Sequence, residues 1–369
     1  MSSTAARPGA EPRGALRRLV LAGDAALRGA THGAAHAEEI RRYAEERVRL
    51  ASNGSWAGRA ATRDDVLGLA RAMLPAHRAY SPGLCDEMEA MAAAAGLTPA
   101  EAVIVGGFTD FVDAVRSRAD AAPEEDDCTA VLVPAARAGG EPLFAQTWDM
   151  HDTATEHVVL LDVRPPRGPR ALVFSTVGCL GQIGMNEEGI CIGIDNLAAA
   201  QGQIGVTWPL VVRKALEATR IEEALACVVE ADLAGAHNYL LLDRHGRGFN
   251  VEAMPARKRV RELGDEPLVH TNHCLEEETR AFEAARPPEL LASSVARLRR
   301  ARELLAEGPI DAARLAALTR DPGVCQRARP PFHIESSGAV ILRPARGELQ
   351  AVWGLPSENE YESYRLDAG

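Results

Sequence analysis

Paired cysteines are absent from this chain. Its seven cysteines are scattered singly, with no Cys-x-x-Cys pair, at Cys85, Cys128, Cys179, Cys191, Cys227, Cys274 and Cys325. An odd and dispersed set of this kind does not resemble a disulfide framework or a structural zinc site. We therefore expect most of these thiols to be reduced and buried.

The chain also lacks long apolar runs and an excess of positive charge. No run reaches the roughly 18 apolar residues of a membrane span, and residues 1–14 lack the apolar core of a signal peptide. The formal net charge of -11 argues against a nucleic-acid or anionic-membrane partner. Arg297, Arg299 and Arg300 are interpreted as the solvated face of a helix. These absences predict a cytoplasmic protein.

One short stretch, residues 124–134, divides the sequence into two kinds of pattern. The acidic run from Glu124 to Asp127 meets the β-branched, apolar run from Thr129 to Val133, and Cys128 stands between them. Upstream, residues 13–118 have helical spacing of their apolar residues, and residues 119–127 have the composition of an exposed linker. Downstream of Thr129 the apolar residues recur mostly at every second position, an apolar period of two that is typical of strands.

The pattern predicts the following elements. Upstream we expect helices at 13–28, 36–50, 62–73, 76–80, 84–95 and 98–111, with a turn at 29–33. Downstream we expect strands at 129–133, 142–148, 157–163, 171–177, 239–242, 248–253, 269–272, 337–342 and 348–353, with further short strands between glycines at 178–196. We also expect downstream helices at 207–218, 221–230, 276–285 and 289–307. Blocks of strands alternate with pairs of helices, so the predicted α+β fold has two antiparallel sheets between helical layers.

A cysteine at such a boundary suggests that the chain is cut immediately before it. The thiol can attack the preceding carbonyl, and water then releases the upstream piece. The freed cysteine carries an α-amine, with an ordinary pKa of about 7.7 to 8.0, that can serve as the base for its own thiol. The alternative is that Cys128 is a small buried hydrophobe at the start of a strand.

Several short motifs, in order along most of the chain, carry a family resemblance. They are Thr31-His32-Gly33-Ala34-Ala35, Glu87-Met88-Glu89, Gly96-Leu97-Thr98-Pro99, Asp127-Cys128-Thr129, Gln146-Thr147-Trp148-Asp149, Val269-His270-Thr271-Asn272-His273-Cys274-Leu275, Gly323-Val324-Cys325 and Gly354-Leu355-Pro356. Together they resemble the acyl-coenzyme A:6-aminopenicillanic acid acyltransferase (isopenicillin N acyltransferase) family. Members of that family are cysteine N-terminal-nucleophile hydrolases, which cleave themselves before the cysteine.

The resemblance implies a role for each matching residue. Cleavage between Asp127 and Cys128 would give a helical segment, 1–127, and an αββα catalytic segment, 128–369, that stay packed together. Cys128 would be the nucleophile, and Asp149 would position its amine. Asn272, with Thr129 beside the nucleophile, would bind substrate and stabilise the oxyanion. The implied substrate is a small N-acyl amide, with no cofactor and with acyl-coenzyme A as a possible substrate.

Three positions depart from the family pattern. Asp127 stands where the family often has glycine. Gln326 stands where the family has an arginine, and Arg327 could supply that arginine only if the alignment shifts by one residue. Gln146 stands where bile-salt hydrolases tend to have arginine, which argues against a bile-salt substrate.

Four alternatives to the self-cleaving amidohydrolase remain at this stage. They are a dedicated acyl-coenzyme A-dependent acyltransferase, an unprocessed binding protein, a Cys-His hydrolase using His270 or His273, and a metal site formed by those histidines with Cys274. The metal site is disfavoured because adjacent strand residues point to opposite faces.

Overall fold

The computed structural model describes residues 16–54, 60–116 and 127–366. The predicted linker at 119–126 lies outside the described residues, as does the side chain of Asp127. Within this part of the chain no single helix is both long and apolar enough to span a membrane. One pair, Pro82–Ala95 with Pro99–Gly106, reaches that length and composition only together and across a 106° bend.

The described residues form helices on either side of two sheets. The helices are α1 Ala25–Ala35, α2 Ala37–Asn53, α3 Arg63–Tyr80, α4 Pro82–Ala95, α5 Pro99–Gly106, α6 Phe108–Arg116, α7 Trp208–Ala215, α8 Ile221–Val229, α9 Glu277–Arg280, α10 Pro288–Leu305 and α11 Ala312–Arg320. The strands are β1 Arg18–Ala22, β2 Asp127–Val133, β3 Leu143–His151, β4 Val158–Arg164, β5 Ala171–Thr176, β6 Ile183–Asn186, β7 Cys191–Leu197, β8 Ala236–Leu242, β9 Gly248–Ala253, β10 Lys258–Glu262, β11 Leu268–His270, β12 Ile334–Arg343, β13 Glu348–Trp353 and β14 Glu362–Arg365.

The first sheet has eight strands in the order β1-β4-β5-β6-β7-β8-β9-β10, and the second has six in the order β11-β2-β3-β12-β13-β14. The sheets pack closely face to face. A Cβ atom added at Gly193 of β7 would lie 2.1 Å from Oε1 of Gln146 in β3, and one at Gly338 of β12 would lie 2.5 Å from the Phe174 ring in β5. The prediction of two sheets between helical layers is confirmed.

The prediction of a helix over residues 13–28 was wrong. Residues Arg18–Ala22 form β1, which pairs in parallel with β4, so the first sheet is not wholly antiparallel. The strand alternates between buried and exposed side chains, with Leu21 fully buried and Val20 exposed. Gly23 then adopts a φ of +99°, and Asp24 caps α1 by accepting a hydrogen bond from the Leu27 amide at 2.9 Å.

The predicted turn at 29–33 is also absent, because α1 runs through it. Gly29 and Gly33 lie one turn apart on the face of α1 that packs on α4. A Cβ atom would meet the Glu87 carbonyl oxygen at 2.1 Å from Gly29, and the Met91 carbonyl oxygen at 2.3 Å from Gly33. These glycines therefore allow two helices to approach closely and do not end one.

Other boundaries also differ from the prediction. Residues 62–73 and 76–80 form the single helix α3, with Pro75 inside it, and the helix predicted at 276–285 is only the short α9. Strands β10 and β14 and helix α11 were not predicted. Helix α5 does begin as expected, since Thr98 and Glu101 form a reciprocal capping box.

Helix α10 packs on the outer face of the second sheet and positions the site described next. Its buried side chains include Ser294, Arg297, Leu298 and Ala301. Leu298 and Ala301 join Val131 and Val269 of the sheet in one apolar cluster. This packing brings α10 alongside the start of β2, where Cys128 lies.

Candidate active site

Cys128 is the second residue of β2 and is fully buried. Its strand pairs antiparallel with β3, so that Cys128 lies opposite Trp148 and Asp127 lies opposite Asp149. Side chains alternate along a strand, and Cys128 belongs with Ala130 and Leu132 to the core that includes the space between the sheets. The thiol therefore lies at the inner face, near one end of the second sheet.

The backbone of Cys128 is held by two residues from outside its strand. Its N–H donates to Oδ1 of Asn272 at 2.6 Å. Its carbonyl oxygen accepts a hydrogen bond from Nη1 of Arg297. The same nitrogen also donates to Oγ1 of Thr129 at 3.0 Å, so the hydroxyl of Thr129 is buried against α10.

The hydrogen bonds of the Asn272 side chain fix its orientation. Oδ1 accepts from the Cys128 N–H and from Nη2 of Arg297, the latter at 3.0 Å, and Nδ2 donates to the Asn196 carbonyl at 3.1 Å. If the amide were reversed, Nδ2 would face the Cys128 N–H and Nη2 of Arg297, which are both donors. The backbone N–H of Asn272 donates to Oγ of Ser294 at 2.9 Å, so α10 also holds the loop that carries this amide.

Asp149 lies on the other side of Cys128, in the strand next to β2, and is fully buried. Its carboxylate accepts hydrogen bonds from Oγ of Ser336 at 2.6 Å and from Oγ1 of Thr147 at 3.4 Å. Ser336 Oγ in turn accepts from the Gln326 N–H at 2.9 Å. Asp149 is therefore fixed by hydroxyl groups beside the backbone position where cleavage is predicted.

A buried charge pair supports the loop that carries Asn272. Nε2 of His270 lies 2.9 Å from the Glu252 carboxylate, and Nδ1 lies 3.5 Å from Asp195. Burial alone would lower the pKa of His270, but hydrogen bonds to the two carboxylates and their negative charges raise it to about 9. Glu252 also accepts from the backbone N–H of Leu275 at 2.6 Å, so the pair ties β9 to both ends of the loop.

The other two residues considered for a metal site have separate surroundings. His273 Nδ1 lies 2.7 Å from Ser294 Oγ, and burial, with the nearby charges of His270 and two arginines, lowers its pKa to about 4. Cys274 packs with Leu197 and Met254, and burial raises the pKa of its thiol. No group of three or more His, Cys, Asp or Glu side chains in residues 16–54, 60–116 and 127–366 is arranged to hold a metal ion.

Arg327 does not join the residues around Cys128. Its guanidinium donates to Glu358 at 2.6 Å and to Ser357 at 3.3 Å, and its side chain is half exposed. It lines a surface cavity of about 260 Å³ with Arg320, Pro322, Cys325, Gln326, Arg329 and Ser357. The backbone of Gln326 connects this cavity to Asp149 through Ser336. The cavity thus adjoins the Asp149 side of the site, and the Arg327 guanidinium lines that cavity.

Arg297 is the site residue that the sequence interpretation missed. The prediction that Arg297 belongs to a solvated face was wrong, because only 1% of its surface is exposed. Arg299 is exposed, as predicted, and Arg300 is partly exposed, with 77% and 42% of their side chains accessible. The one sequence signal was helical spacing, since Arg297 lies three residues after Ser294 and four before Ala301, which are both buried, but the charge of arginine favours the opposite interpretation.

The sequence of this chain is similar to those of known proteins. A family model described as acyl-coenzyme A:6-aminopenicillanic acid acyl-transferase matches residues 136–327, more than half of the chain, starting downstream of Cys128. The 40 kDa form of the acyl-coenzyme A:6-aminopenicillanic-acid acyltransferase of Emericella nidulans is 26% identical over 153 residues. That match covers 41% of this chain and 42% of the relative, so it spans less than half of the relative's length.

Two solved structures are also similar to the chain. The conjugated bile acid hydrolase of Clostridium perfringens, in a variant form, aligns at 12% identity and a TM-score of 0.46, over 65% of this chain and 97% of that one. The penicillin V acylase of Agrobacterium tumefaciens aligns at 13% identity and a TM-score of 0.39, over 61% of this chain and 82% of that one.

Proposed function

Because the chain belongs to the acyl-coenzyme A:6-aminopenicillanic acid acyl-transferase family, we propose that it is a self-processing cysteine amidohydrolase and acyltransferase that acts on a small N-acyl amide. The observation that carries this proposal is the set of contacts that fixes the position of Cys128. Its thiol is at the inner face of the sheet, its N–H is bonded to Asn272, and the residue before it pairs with Asp149. A structural cysteine at the start of a strand does not require these neighbours.

Maturation would proceed by transfer of the Asp127 acyl group from nitrogen to sulfur. The Cys128 thiol adds to the carbonyl carbon of Asp127, the C–N bond breaks, and the Cys128 nitrogen leaves as an amine that takes up the thiol proton. Water then hydrolyses the thioester, which gives the Asp127 carboxylate and regenerates the thiol. The new α-amine appears at the strand position beside Asp149.

Turnover would use the same groups on a substrate amide. The amine takes the thiol proton as sulfur attacks the acyl carbon, and the leaving amine of the substrate receives that proton. Water or a second amine then cleaves the acyl-Cys128 thioester. Asn272 would stabilise the oxyanion of each tetrahedral intermediate. Asp149 would orient the α-amine.

Buried contacts support the proposal that the upstream segment remains bound after cleavage. Glu87 of α4 accepts hydrogen bonds from Arg28 of α1 and, at 3.1 Å, from Arg213 of α7. Asp113 of α6 accepts from the backbone N–H groups of Ala199 at 3.1 Å and Ala236 at 3.0 Å. β1 adds a strand to the first sheet. The two segments thus share a core, and we expect them to separate only on denaturation.

Hydrolysis is proposed as the main reaction, with transfer to amines as a side path. The net charge of -11 offers no broad cationic surface for anionic acyl-coenzyme A. For Arg327, we propose that it acts in the adjoining arginine-lined cavity by holding an anionic group of the substrate, without touching the reacting atoms.

The experiment is a substrate panel assayed with the purified protein. N-acyl amino acids, N-acyl amines and acyl-β-lactams are incubated with and without a chelator and with and without acyl-coenzyme A. We expect amide hydrolysis that needs neither a metal nor acyl-coenzyme A. Loss of activity with chelator would favour a metal site, and product formation only with acyl-coenzyme A as donor would favour a dedicated transferase.

A further inference from the structure

Arg297 is a cation in the interior, placed at the residue proposed to become a new N-terminus. Its guanidinium is always charged at physiological pH. Nη1 contacts the carbonyl oxygen of Cys128, and Nη2 donates at 3.0 Å to the Asn272 Oδ1 atom that also accepts from the Cys128 nitrogen. The planar guanidinium thus contacts the Cys128 carbonyl directly and its nitrogen through one shared acceptor.

This geometry has a different consequence before and after cleavage. Before cleavage the Cys128 nitrogen is an amide, and Arg297 with Asn272 fixes the position of its peptide unit. After cleavage the same nitrogen is an amine that can be protonated. A positive charge nearby disfavours the protonated form of an amine, whereas a carboxylate favours it.

We propose that Arg297 is a positioning residue that aligns the Cys128 backbone for self-cleavage and afterwards keeps the new α-amine neutral, and so able to accept the thiol proton. This inference rests on the proposed function. In this role the positive charge of Arg297 offsets the negative charge of Asp149, which favours the protonated amine. A neutral amine is required because an ammonium group cannot act as a base.

Other charged groups face the same region, and their effects have to be separated from that of Arg297. Asp149 lies on β3, Asp195 on β7, Glu252 on β9 and His270 on β11. Arg286, which precedes α10, donates to the Asn196 carbonyl at 3.3 Å. Asp195 and Glu252 share the single positive charge of His270, which compensates one of the two carboxylates, while burial raises the pKa of Asp195. The Arg297 guanidinium directly contacts the Cys128 carbonyl.

The test compares Arg297→Met, Arg297→Lys and the control Arg299→Met. Lysine retains the positive charge, but its ammonium group lacks the planar set of N–H donors with which the guanidinium contacts the Cys128 carbonyl, Thr129 and Asn272. Arg299 is on the same helix but is exposed, so its substitution controls for helix stability. Each variant is followed by intact mass during maturation, by thermal unfolding, and by kcat/KM against pH after maturation.

We expect Arg297→Met to mature about tenfold to a hundredfold more slowly than wild type, because the peptide unit is no longer aligned. Its matured fraction should show the acid limb of kcat/KM moved to higher pH by roughly one unit, since the amine loses a neighbouring cation and gains a proton more easily. Arg297→Lys should mature slowly but keep the acid limb of the wild type. Arg299→Met should resemble wild type in both measurements.

An acid limb in Arg297→Met that coincides with that of wild type would overturn the role in keeping the amine neutral. If Arg297→Met does not fold, Arg297→Lys still tests the proposal, because wild-type maturation in that variant would overturn the alignment role. Failure of the proposed function gives a different result. In that case the wild-type chain itself does not cleave, or Cys128→Ala retains amidase activity.

Discussion

The two flanks of Cys128 are built from different chemistry. On one flank, the Asn272 loop and α10 hold the Cys128 backbone directly through an amide and a buried guanidinium, and a buried His270–Glu252 pair supports the loop. On the other flank, Asp149 is held by neutral hydroxyl groups and is placed beside the cleavage position by strand pairing. The first flank therefore depends on paired charges and tolerates less change than the second.

The largest effect is expected from Asn272. Asn272→Ala removes the acceptor for both the Cys128 N–H and Arg297, and it removes an amide donor, so turnover should fall by about 10² to 10³. The value of kcat on the matured protein, measured with an N-acyl amide, gives the size of the loss. Substrate binding should change less.

Asn272→Asp sharpens this comparison because it keeps an oxygen for Arg297 and Cys128 but loses the Nδ2 donor. We expect it also to turn over slowly while it retains more of the maturation rate than Asn272→Ala. Turnover of either variant at the wild-type level would remove Asn272 from the oxyanion role.

A smaller effect is expected on the Asp149 flank from Ser336→Ala. The substitution removes the 2.6 Å hydrogen bond to Asp149 and leaves the one from Thr147. Ser294→Ala is the matched change on the opposite flank, since it removes the acceptor of the Asn272 N–H. We expect kcat to fall in both variants, and to fall further in Ser294→Ala. The reverse order would contradict the stated difference between the flanks.

The pH dependence of stability provides another test of the charged flank. The folded pKa of His270, about 9, lies above its ordinary value of 6.5. Its contribution to stability is therefore complete below pH 6.5 and is lost as the pH rises through 9. His270→Gln should lower the free energy of unfolding at pH 6 and reduce the decline between pH 6.5 and 9. Urea unfolding at several pH values measures both the free energy of unfolding and its decline with pH. If the decline is the same in the variant as in wild type, His270 does not form the stabilising charged pair.

The smallest effect is expected from Arg327→Ala, which changes an exposed residue outside the contacts of Cys128. We expect kcat to be nearly unchanged and KM to rise modestly for substrates that carry a carboxylate, with no change for uncharged ones. Arg314→Ala, on α11, is a control, because Arg314 donates to the backbone carbonyls of Leu304 and Pro309 and not to the partners of Arg327. A large loss of kcat in Arg327→Ala would place the arginine in the reaction itself.

The parts of the fold that follow from local pattern could be predicted from the sequence. The change of apolar period at Cys128 correctly marked where a mainly helical region gives way to the first strands of the second sheet, although β1 lies upstream of it and α7 to α11 lie downstream. Thr98 and Thr62 capped helices where expected. β1 could not be recognised, because its partner β4 is more than 130 residues away and the short run Arg18–Ala22 has no strand neighbour in sequence. Gly29 and Gly33 were misinterpreted because a glycine required by helix packing looks like a glycine at a turn.

The site was only partly predictable for a related reason. Cys128, Asp149 and Asn272 stand in short motifs, and the structure brings the three to one end of the second sheet. Arg297 stands in no such motif, and its charge favours the solvent face of a helix until the partners that bury it are known. Its neighbours Arg299 and Arg300, on the same helix, show the ordinary outcome for an arginine at such a position.

The central claim is that the chain cuts itself between Asp127 and Cys128, and the intact mass of the freshly purified protein tests it most directly. We expect two masses under denaturing conditions, for residues 1–127 and 128–369, apart from any trimming, and one species under native conditions. Cys128→Ala should give a single full-length mass. A wild-type protein that stays full length through prolonged incubation and yet hydrolyses N-acyl amides would contradict the assignment of Cys128 as an N-terminal nucleophile.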